Sequence, residues 1–130
     1  MRRLSVFGLA ITAILSIVLT GTAAQAQGYD NTLTFKMRSY YPYKVQVAFY
    51  SETYSREWPG NGQAYNLDDY DVHTFPLSCR TGERICYGAW VTGTGSHYWG
   101  VGQSHKYSCP NCCYTCGDGD ESTPVINLND

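Results

Sequence analysis

The sequence predicts an all-β fold: a small antiparallel β-sandwich or barrel, stapled by disulfide bonds and containing little helix. Two segments alternate apolar and polar residues at period two, and five or six short strand signals in all are separated by glycine and proline. After residue 26, no segment repeats apolar residues at the 3.6-residue spacing of an amphipathic helix. Six cysteines in 130 residues supply the covalent staples that a small exported domain needs.

The first 26 residues have the layout of a cleavable export signal. Arg2 and Arg3 precede an apolar stretch over residues 4–19, and small residues lead to Ala26, after which we expect cleavage. The apolar stretch is marginal against the roughly 20 residues that a membrane-spanning helix needs. We therefore predict a signal peptide over residues 1–26. Residues 27–130 are predicted to form a single β domain, periplasmic or secreted, with no membrane span after signal cleavage.

The composition of the predicted mature chain argues against one class of partner. Removing residues 1–26 leaves 104 residues with 7 basic and 11 acidic side chains, a formal charge of −4. The basic residues are scattered singly, so we predict no nucleic-acid binding. The same 104 residues hold 12 Tyr, 3 Trp and 3 Phe. A core of this size buries so many polar-edged rings with difficulty, which leaves some for a ligand.

The first predicted element is a β-hairpin. Residues 33–38 and 45–49 both alternate apolar with polar side chains, as half-buried strands do. Between them, residues 40–43 contain Pro42, which fixes its own φ and favours an extended conformation in the residue before it. The pattern therefore predicts a turn that pairs residues 33–38 with residues 44–50.

A long polar loop is predicted over residues 51–66, with Trp58 at its tip. Pro59 and two glycines at its centre disfavour regular structure, and connections this long are often functional. Further strand signals follow at residues 72–78, 84–91, 97–103 and, as a possible edge strand, 125–128, with a loop at 117–121.

The cysteines are predicted to form disulfide bonds. A four-residue turn at residues 81–84 would place Cys79 opposite Cys86 in neighbouring strands, at a Cα separation that a disulfide can bridge. The remaining four would then pair among themselves: Cys109, Cys112, Cys113 and Cys116. Two pairings stay open, 109 with 112 and 113 with 116, or 109 with 113 and 112 with 116.

A zinc site is the alternative interpretation of this cluster. Two successive Cys-x-x-Cys spacings offer four thiolates to one ion, and His97 and His105 could assist. Exported thiols meet an oxidising environment, which favours disulfides. We therefore predict structural sulfur, with no metal and no cofactor.

The sequence offers little support for catalysis. Asp71 and His73 share a face of a predicted strand, and Ser96 could complete a nucleophilic set. The surroundings of Ser96 lack the strand-to-helix turn that exposes a nucleophilic serine. Asp68 and Asp69 add carboxylates near Asp71, but the spacing of a calcium loop is absent and a solvated turn explains them better. We predict no enzymatic activity.

The leading functional hypothesis is ligand binding by aromatic loops. Flat rings with polar edges suit sugar rings and protein partners, and Trp and Tyr are enriched where binding energy concentrates. The competing interpretation for each ring is burial in the core. The predicted ligand-binding residues are Tyr54, Trp58, Tyr65, Tyr98 and Trp99. The predicted partner is a cell-surface glycan or an extracellular or periplasmic protein.

Three segments carry a resemblance: PYKVQV at 42–47, HTFPLSC at 73–79 and ICYGAW at 85–90. Together they resemble a group of small exported, cysteine-rich β domains of Gram-negative bacteria without established activity. The resemblance implies a Gram-negative host and transfers no catalytic residue. Residues 92–99 are similar to the inhibitory loop of periplasmic lysozyme inhibitors, which are small disulfide-bearing β-barrels. The alternatives to a binding module are therefore an inhibitor of a cell-wall hydrolase and a structural envelope protein.

Overall fold

A computed structural model describes residues 28–94 and 96–129, so the predicted signal peptide lies outside the described residues. Half of the described residues are strand, and the described ranges contain no α-helix, only 3-10 turns at Gln103–His105 and Pro110–Cys112. The strands are β1 (Asn31–Ser39), β2 (Val45–Ser51), β3 (Glu57–Trp58), β4 (Tyr65–Leu67), β5 (His73–Cys79), β6 (Arg84–Val91), β7 (Tyr98–Gly100), β8 (Cys113–Thr115) and β9 (Asp120–Leu128). The predicted all-β class with little helix is confirmed.

The strands form two sheets. The small sheet has the order β5-β1-β9, and the large sheet has the order β3-β2-β6-β7, with β4 also paired to β2 and β8 to β6. All of these pairs are antiparallel except β1 with β9, which is parallel. The chain passes from one sheet to the other after β1, β4, β5 and β8.

The main core lies between the two sheets. The alternation in β1 places Leu33, Phe35 and Met37 on one face, all at most 3% exposed. Phe49 of β2 meets Phe35 with ring centroids 4.6 Å apart and Phe75 of β5 at 5.4 Å. Burial of each such side chain contributes about 1.5–3 kcal/mol, so these alternating residues are what hold the sheets together.

The predicted hairpin between the first two strands is wrong. Residues 40–43 carry the chain from β1 in the small sheet to β2 in the large sheet, and the two strands face each other across the core. Alternation at period two identifies the buried face of a strand, but it contains no information about which strand lies beside it. Both strands were correctly predicted, and their pairing was not.

The predicted loop over residues 51–66 is partly structured. Its residues Glu57–Trp58 and Tyr65–Leu67 form short strands that pair with different parts of β2, so Trp58 opposes Phe49 and Tyr65 opposes Val47. Trp58 therefore lies within a strand and not at a loop tip. The glycine- and proline-containing residues 59–64 between these strands are irregular, as predicted.

The last strands also differ from the prediction. Of residues 97–103, only Tyr98–Gly100 is strand, and a 3-10 turn follows. At the C-terminal side, Asp120 and Glu121 belong to β9 rather than to a loop, and β9 is an edge strand as predicted. It enters beside the start of β1, with Thr32 opposite Asp120, and so runs parallel to β1.

A second, smaller core covers the outer face of the large sheet. Residues 101–113 fold back over this face, where Val101 packs with Ala48, Tyr50 and Trp90. Gly88 of β6 permits the close approach, because a Cβ at this position would collide with the carbonyl oxygen of Gly102. Both faces of the large sheet are therefore buried over part of its area.

Three disulfides join the elements: Cys79–Cys116, Cys86–Cys113 and Cys109–Cys112. Disulfide bonding is confirmed, but the predicted Cys79–Cys86 bond is wrong. Of the bonds in the two alternative pairings of the cluster, only Cys109–Cys112 forms. The turn after β5 carries the chain between sheets, so Cys79 faces the main core and Cys86 the outer core.

Three disulfides indicate an oxidising environment outside the cytoplasm. Over residues 28–94 and 96–129, no helix has the length and apolar character required to cross a membrane.

Candidate functional site

Three connections between the sheets and strands meet at one end of the sandwich. They are residues 40–44 after β1, residues 68–72 after β4, and residues 92–97 after β6, of which residue 95 is not described. Strand register places them together, because Val45 pairs with both Leu67 and Val91. We call this surface the tyrosine end and define it by these residues: Tyr40, Tyr41, Tyr43, Tyr70, His97 and Trp99.

The tyrosine end exposes large rings to solvent. Tyr43 is 69% exposed, Tyr70 60% and Tyr40 46%. The Tyr40 hydroxyl accepts a hydrogen bond from Arg38 Nη1 at 3.0 Å, and the Arg38 guanidinium lies 5.7 Å from the centroid of the same ring. Exposing apolar ring surface to water costs free energy, and a cluster of exposed rings often marks a binding site. This grouping therefore makes the tyrosine end a candidate ligand-binding surface.

Beneath the exposed rings, Tyr41 is the centre of an aromatic cluster. Its ring centroid lies 4.5 Å from that of His97 and 5.7 Å from those of Tyr43 and Trp99. The Trp99 indole Nε1 donates a hydrogen bond to the backbone oxygen of Asn129 at 2.7 Å, which satisfies its polar edge. These contacts connect two loops and the C-terminal segment into one packed base.

Carboxylates flank the same end. His73 Nε2 and Asp69 Oδ1 lie 2.7 Å apart, and the backbone N–H of Asp71 donates to the same oxygen at 2.9 Å. The hydrogen bond from His73 holds the pKa of Asp69 below its ordinary value, assisted by the Asp71 N–H. The predicted partner of His73 was Asp71, and its observed partner is Asp69, because Asp71 lies in the turn before β5.

The opposite end of the sandwich carries a stack of alternating rings and guanidinium groups. We call it the arginine ladder, and its order is Tyr54, Arg80, Tyr29, Arg56 and Trp58. The Arg80 guanidinium lies 4.8 Å and 4.5 Å from the ring centroids of Tyr54 and Tyr29. The Arg56 guanidinium lies 3.8 Å and 4.2 Å from those of Tyr29 and Trp58. Each such contact contributes about 0.5–1 kcal/mol at an exposed site, so the ladder fixes the chain entering β1.

A buried carboxylate anchors the ladder. Glu83 is fully buried and accepts hydrogen bonds from Arg56 Nε at 3.0 Å, Arg56 Nη2 at 2.9 Å and the Arg80 backbone N–H at 3.0 Å. Burial by itself raises the pKa of Glu83, but these hydrogen bonds and one from the Ser51 hydroxyl outweigh it, so the pKa lies below its ordinary value. The carboxylate is thus held charged beside its arginine.

The five predicted ligand-binding residues do not share one surface. Tyr54 and Trp58 join the arginine ladder, whereas Trp99 belongs to the tyrosine end at the opposite edge of the large sheet. Tyr65 packs against core ring Phe75 at a centroid distance of 4.9 Å. Tyr98 points to the outer face and stacks on Tyr107 at 3.8 Å.

The outer face of the large sheet holds a polar cleft of about 450 Å³ between the end of β2 and the 3-10 turn at Gln103–His105. It includes Tyr50, Glu52 and His105, with His105 Nε2 3.0 Å from Glu52 Oε1. Hydrogen bonding from His105, supplemented by Arg84, lowers the pKa of Glu52 despite some desolvation. Burial, with the nearby Glu57 charge, raises the pKa of Tyr50, although Ser104 N–H donates to its hydroxyl at 2.8 Å. A metal ion held by Glu52 and His105 would need a third ligand. Among the described residues the one within reach is Cys86, and its sulfur is already bonded in a disulfide.

Sequence reasoning did not identify the tyrosine end as a surface. Its signal was present in the three tyrosines among residues 40–43, which were interpreted only as a turn. Tyr70 was assigned to a solvated acidic turn, and the meeting of the two loops depends on strand pairing that local pattern does not contain. Glu83 carries no signal at all, since nothing local distinguishes a buried carboxylate from an exposed turn acid.

Comparison of the chain with protein-family models, with curated proteins and with solved structures finds no match. The resemblance to small exported Gram-negative domains, and that of residues 92–99 to an inhibitory loop, therefore stay predictions.

Proposed function

We propose that this protein is an exported, non-enzymatic binding module whose tyrosine end recognises a cell-surface glycan in the periplasm or outside the cell. The observation that carries the proposal is the meeting of exposed tyrosine rings from two loops at one end of a two-sheet scaffold. Tyr43, Tyr70 and Tyr40 are the exposed rings. Loops held by a rigid sandwich are where such scaffolds place recognition residues, and tyrosine combines a large contact area with few rotatable bonds.

The chemistry of the surface suits a carbohydrate. One face of a sugar ring presents C–H groups that pack on an aromatic ring, while its hydroxyls both donate and accept hydrogen bonds. Tyr43 and Tyr70 supply rings and hydroxyls, Lys44 is an exposed donor, and Asp68 and Asp71 are exposed acceptors on the neighbouring loop. The mixture of donors and acceptors around flat rings matches this requirement better than it matches a purely apolar ligand.

The packed base of the surface supports affinity. Tyr41, His97 and Trp99 are already in mutual contact, and the Trp99 indole is fixed by its hydrogen bond to Asn129. A surface that is ordered before binding avoids part of the entropy loss that a mobile loop incurs. The Cys79–Cys116 and Cys86–Cys113 disulfides cross-link the same scaffold toward its opposite end, beside the arginine ladder.

The test is a screen of the purified protein on an array of bacterial oligosaccharides, followed by calorimetry with the oligosaccharide that binds. Tyr43→Ala and Tyr70→Ala are each expected to lower affinity about 5- to 30-fold, the effect of losing 1–2 kcal/mol at an aromatic anchor. Tyr54→Ala is the matched control, because Tyr54 is 39% exposed but lies at the opposite end. It is expected to retain affinity.

Other outcomes would contradict the proposal. Binding lost in Tyr54→Ala and kept in Tyr43→Ala and Tyr70→Ala would move the ligand to the arginine ladder. A protein that binds no oligosaccharide but inhibits lysozyme, and loses that inhibition in Ser96→Ala, would be a hydrolase inhibitor. A structural envelope protein would show neither activity.

A further inference from the structure

One of the three disulfides differs from the others in its surroundings. Cys79, Cys116 and Cys86 are at most 1% exposed, and their two bonds join separate elements 37 and 27 residues apart in sequence. The Cys109–Cys112 bond closes a turn of only four residues, and Cys109 is only half-buried. Cys109 can therefore be reached from solvent. Of the four cysteines in the other two bonds only Cys113 is also half-buried, and its bond to Cys86 joins β8 to β6 instead of closing a local turn.

Cys109 lines a cleft of about 290 Å³ on the outer face of the large sheet. The cleft is also lined by Arg84 and Lys106, two cations, and by His105 and one acid, Glu52. Arg84 Nη2 donates a hydrogen bond to the carbonyl oxygen of Pro110, inside the disulfide turn, at 3.2 Å. Cationic, partly exposed surroundings are those in which cysteine sulfur reacts as thiolate.

Opening this bond leaves the fold connected. Both sulfurs belong to the same turn, so no sheet pairing depends on the bond. The following residue, Cys113, remains fixed to β6 through Cys86, and Cys116 remains fixed to β5 through Cys79. The turn can therefore be reduced and reoxidised while the sandwich persists.

We propose that Cys109–Cys112 is a thiol–disulfide exchange site that oxidises an exported dithiol protein. A thiolate of the dithiol attacks Cys109 Sγ. The Cys109–Cys112 bond breaks, its electron pair leaves on Cys112 Sγ, and a mixed disulfide joins Cys109 to the partner. The partner's second thiolate then attacks its own sulfur in the mixed disulfide and displaces Cys109 as a thiolate.

The exchange balances without another reactant. The partner loses two electrons and becomes a disulfide, and Cys109 and Cys112 gain them and become a dithiol. The two protons released by the partner's thiols are taken up by the two cysteines. Attack is assigned to Cys109 because Cys112 is only 5% exposed, and Arg84 and Lys106 favour approach of the anionic thiolate.

The first experiment is a redox titration of the purified, fully oxidised protein in buffers of reduced and oxidised dithiothreitol. Samples are quenched with acid, alkylated and mapped by peptide mass. The expected result is a range of buffer ratios in which Cys109 and Cys112 are alkylated together and the other four cysteines are not. Opening of either of the other two disulfides at the same or milder ratios would overturn the proposal.

The second experiment tests the cationic cleft with rates. Arg84→Gln and Lys106→Gln are expected to slow reduction of Cys109–Cys112 by an anionic thiol, mercaptoethanesulfonate, about two- to fivefold each, and added salt should reduce the difference. Lys36→Gln, on β1 in the small sheet, is the control and should react at the parent rate. Equal rates in all variants would overturn the assignment of the cleft.

The third experiment separates exchange from a structural role. The double variant Cys109→Ser with Cys112→Ser is expected to keep the near-UV circular dichroism of the parent, to retain glycan binding at the tyrosine end, and to lose oxidation of a synthetic peptide that carries two reduced cysteines. A double variant that unfolds, or that oxidises the peptide as fast as the parent, would contradict the proposal.

Discussion

Glu83 shows how one residue can depend on the whole fold. It is an acid in a four-residue connection, yet it is fully buried and accepts hydrogen bonds from a guanidinium and from backbone. Burial of an unpaired carboxylate would be costly, and the bidentate contact with Arg56 offsets that cost. Its hydrogen-bond partners come from the turn between β5 and β6 and from the β2–β3 connection, so its role depends on the packing of these elements.

The pH dependence of stability follows from this pair. Because the pKa of Glu83 in the folded protein lies below its ordinary value of 4.5, its carboxylate stabilises the fold above that pH. The contribution is lost as the pH falls through the folded-state pKa. Glu83→Gln is therefore expected to lower the free energy of unfolding at pH 7 by about 2–4 kcal/mol, since it leaves Arg56 uncompensated. Its stability should also fall less steeply with acid than that of the parent.

Urea unfolding between pH 3 and pH 7 measures both effects. Glu57→Gln is the matched control, since Glu57 is an exposed acid on β3. It should change the free energy of unfolding by less than about 0.5 kcal/mol. A Glu83→Gln protein as stable as the parent at pH 7 would show that the buried pair contributes nothing net.

At the scale of elements, the central strand β6 combines a nearly continuous apolar run with a glycine whose missing side chain makes room for another segment. β6 was predicted with its observed bounds, because residues 84–91 form a nearly continuous apolar and aromatic run after a clear turn. The pattern did not reveal that Gly88 lies under the backbone of Gly102. A glycine inside a strand often marks such a close approach, but the approaching segment cannot be identified from the strand itself.

Gly88→Ala is expected to destabilise the protein by about 3 kcal/mol, because the added methyl group collides with a backbone oxygen that no side-chain rotation can move. Thermal or urea unfolding measures the loss. Gly62→Ala serves as control: its φ of 70° makes a Cβ unfavourable by about 1–2 kcal/mol, but no atom lies within 4 Å of it. Equal losses at both positions would mean that residues 101–107 move away from β6 without cost.

The two-residue strand β3 illustrates the limit of local pattern. Glu57–Trp58 has no length over which alternation could be recognised, and Pro59 follows directly. It forms a strand because β2 offers unpaired backbone groups at Phe49 and Tyr50. Trp58 was consequently assigned to a loop tip, although its ring packs against the main core and the Arg56 guanidinium.

At the scale of the whole molecule, two disulfides connect the last quarter of the chain to both sheets. Cys79–Cys116 fixes the end of β5 to the connection that leads into β9, and Cys86–Cys113 fixes β6 to β8. Both cross-links span long stretches of sequence and so restrict the unfolded chain most. The Cys109–Cys112 bond restricts it least.

The free energy of unfolding that is lost when each bond is removed by paired serine substitutions should follow this order. On the chain-entropy estimate, loss of Cys79–Cys116 costs about 4 kcal/mol, loss of Cys86–Cys113 about 3.6 kcal/mol and loss of Cys109–Cys112 about 2 kcal/mol. Urea unfolding of the three double variants under non-reducing conditions measures the order. A variant lacking Cys109–Cys112 that is the least stable of the three would contradict it.

The sequence by itself determined the all-β class, the buried face of β1, the positions of β2 and β6, the use of cysteine as disulfide and the aromatic richness of the chain. These depend on composition and on alternation between neighbouring residues, which are local properties. Only the tertiary structure decided the sheet to which β1 and β2 belong, the parallel entry of β9, the partners of Cys79 and Cys86, and the meeting of Tyr41 with His97 and Trp99 at one end. Those features depend on contacts between residues that are distant in the chain. The alternation within a strand shows which face is buried, but it is the same whichever strand lies beside it.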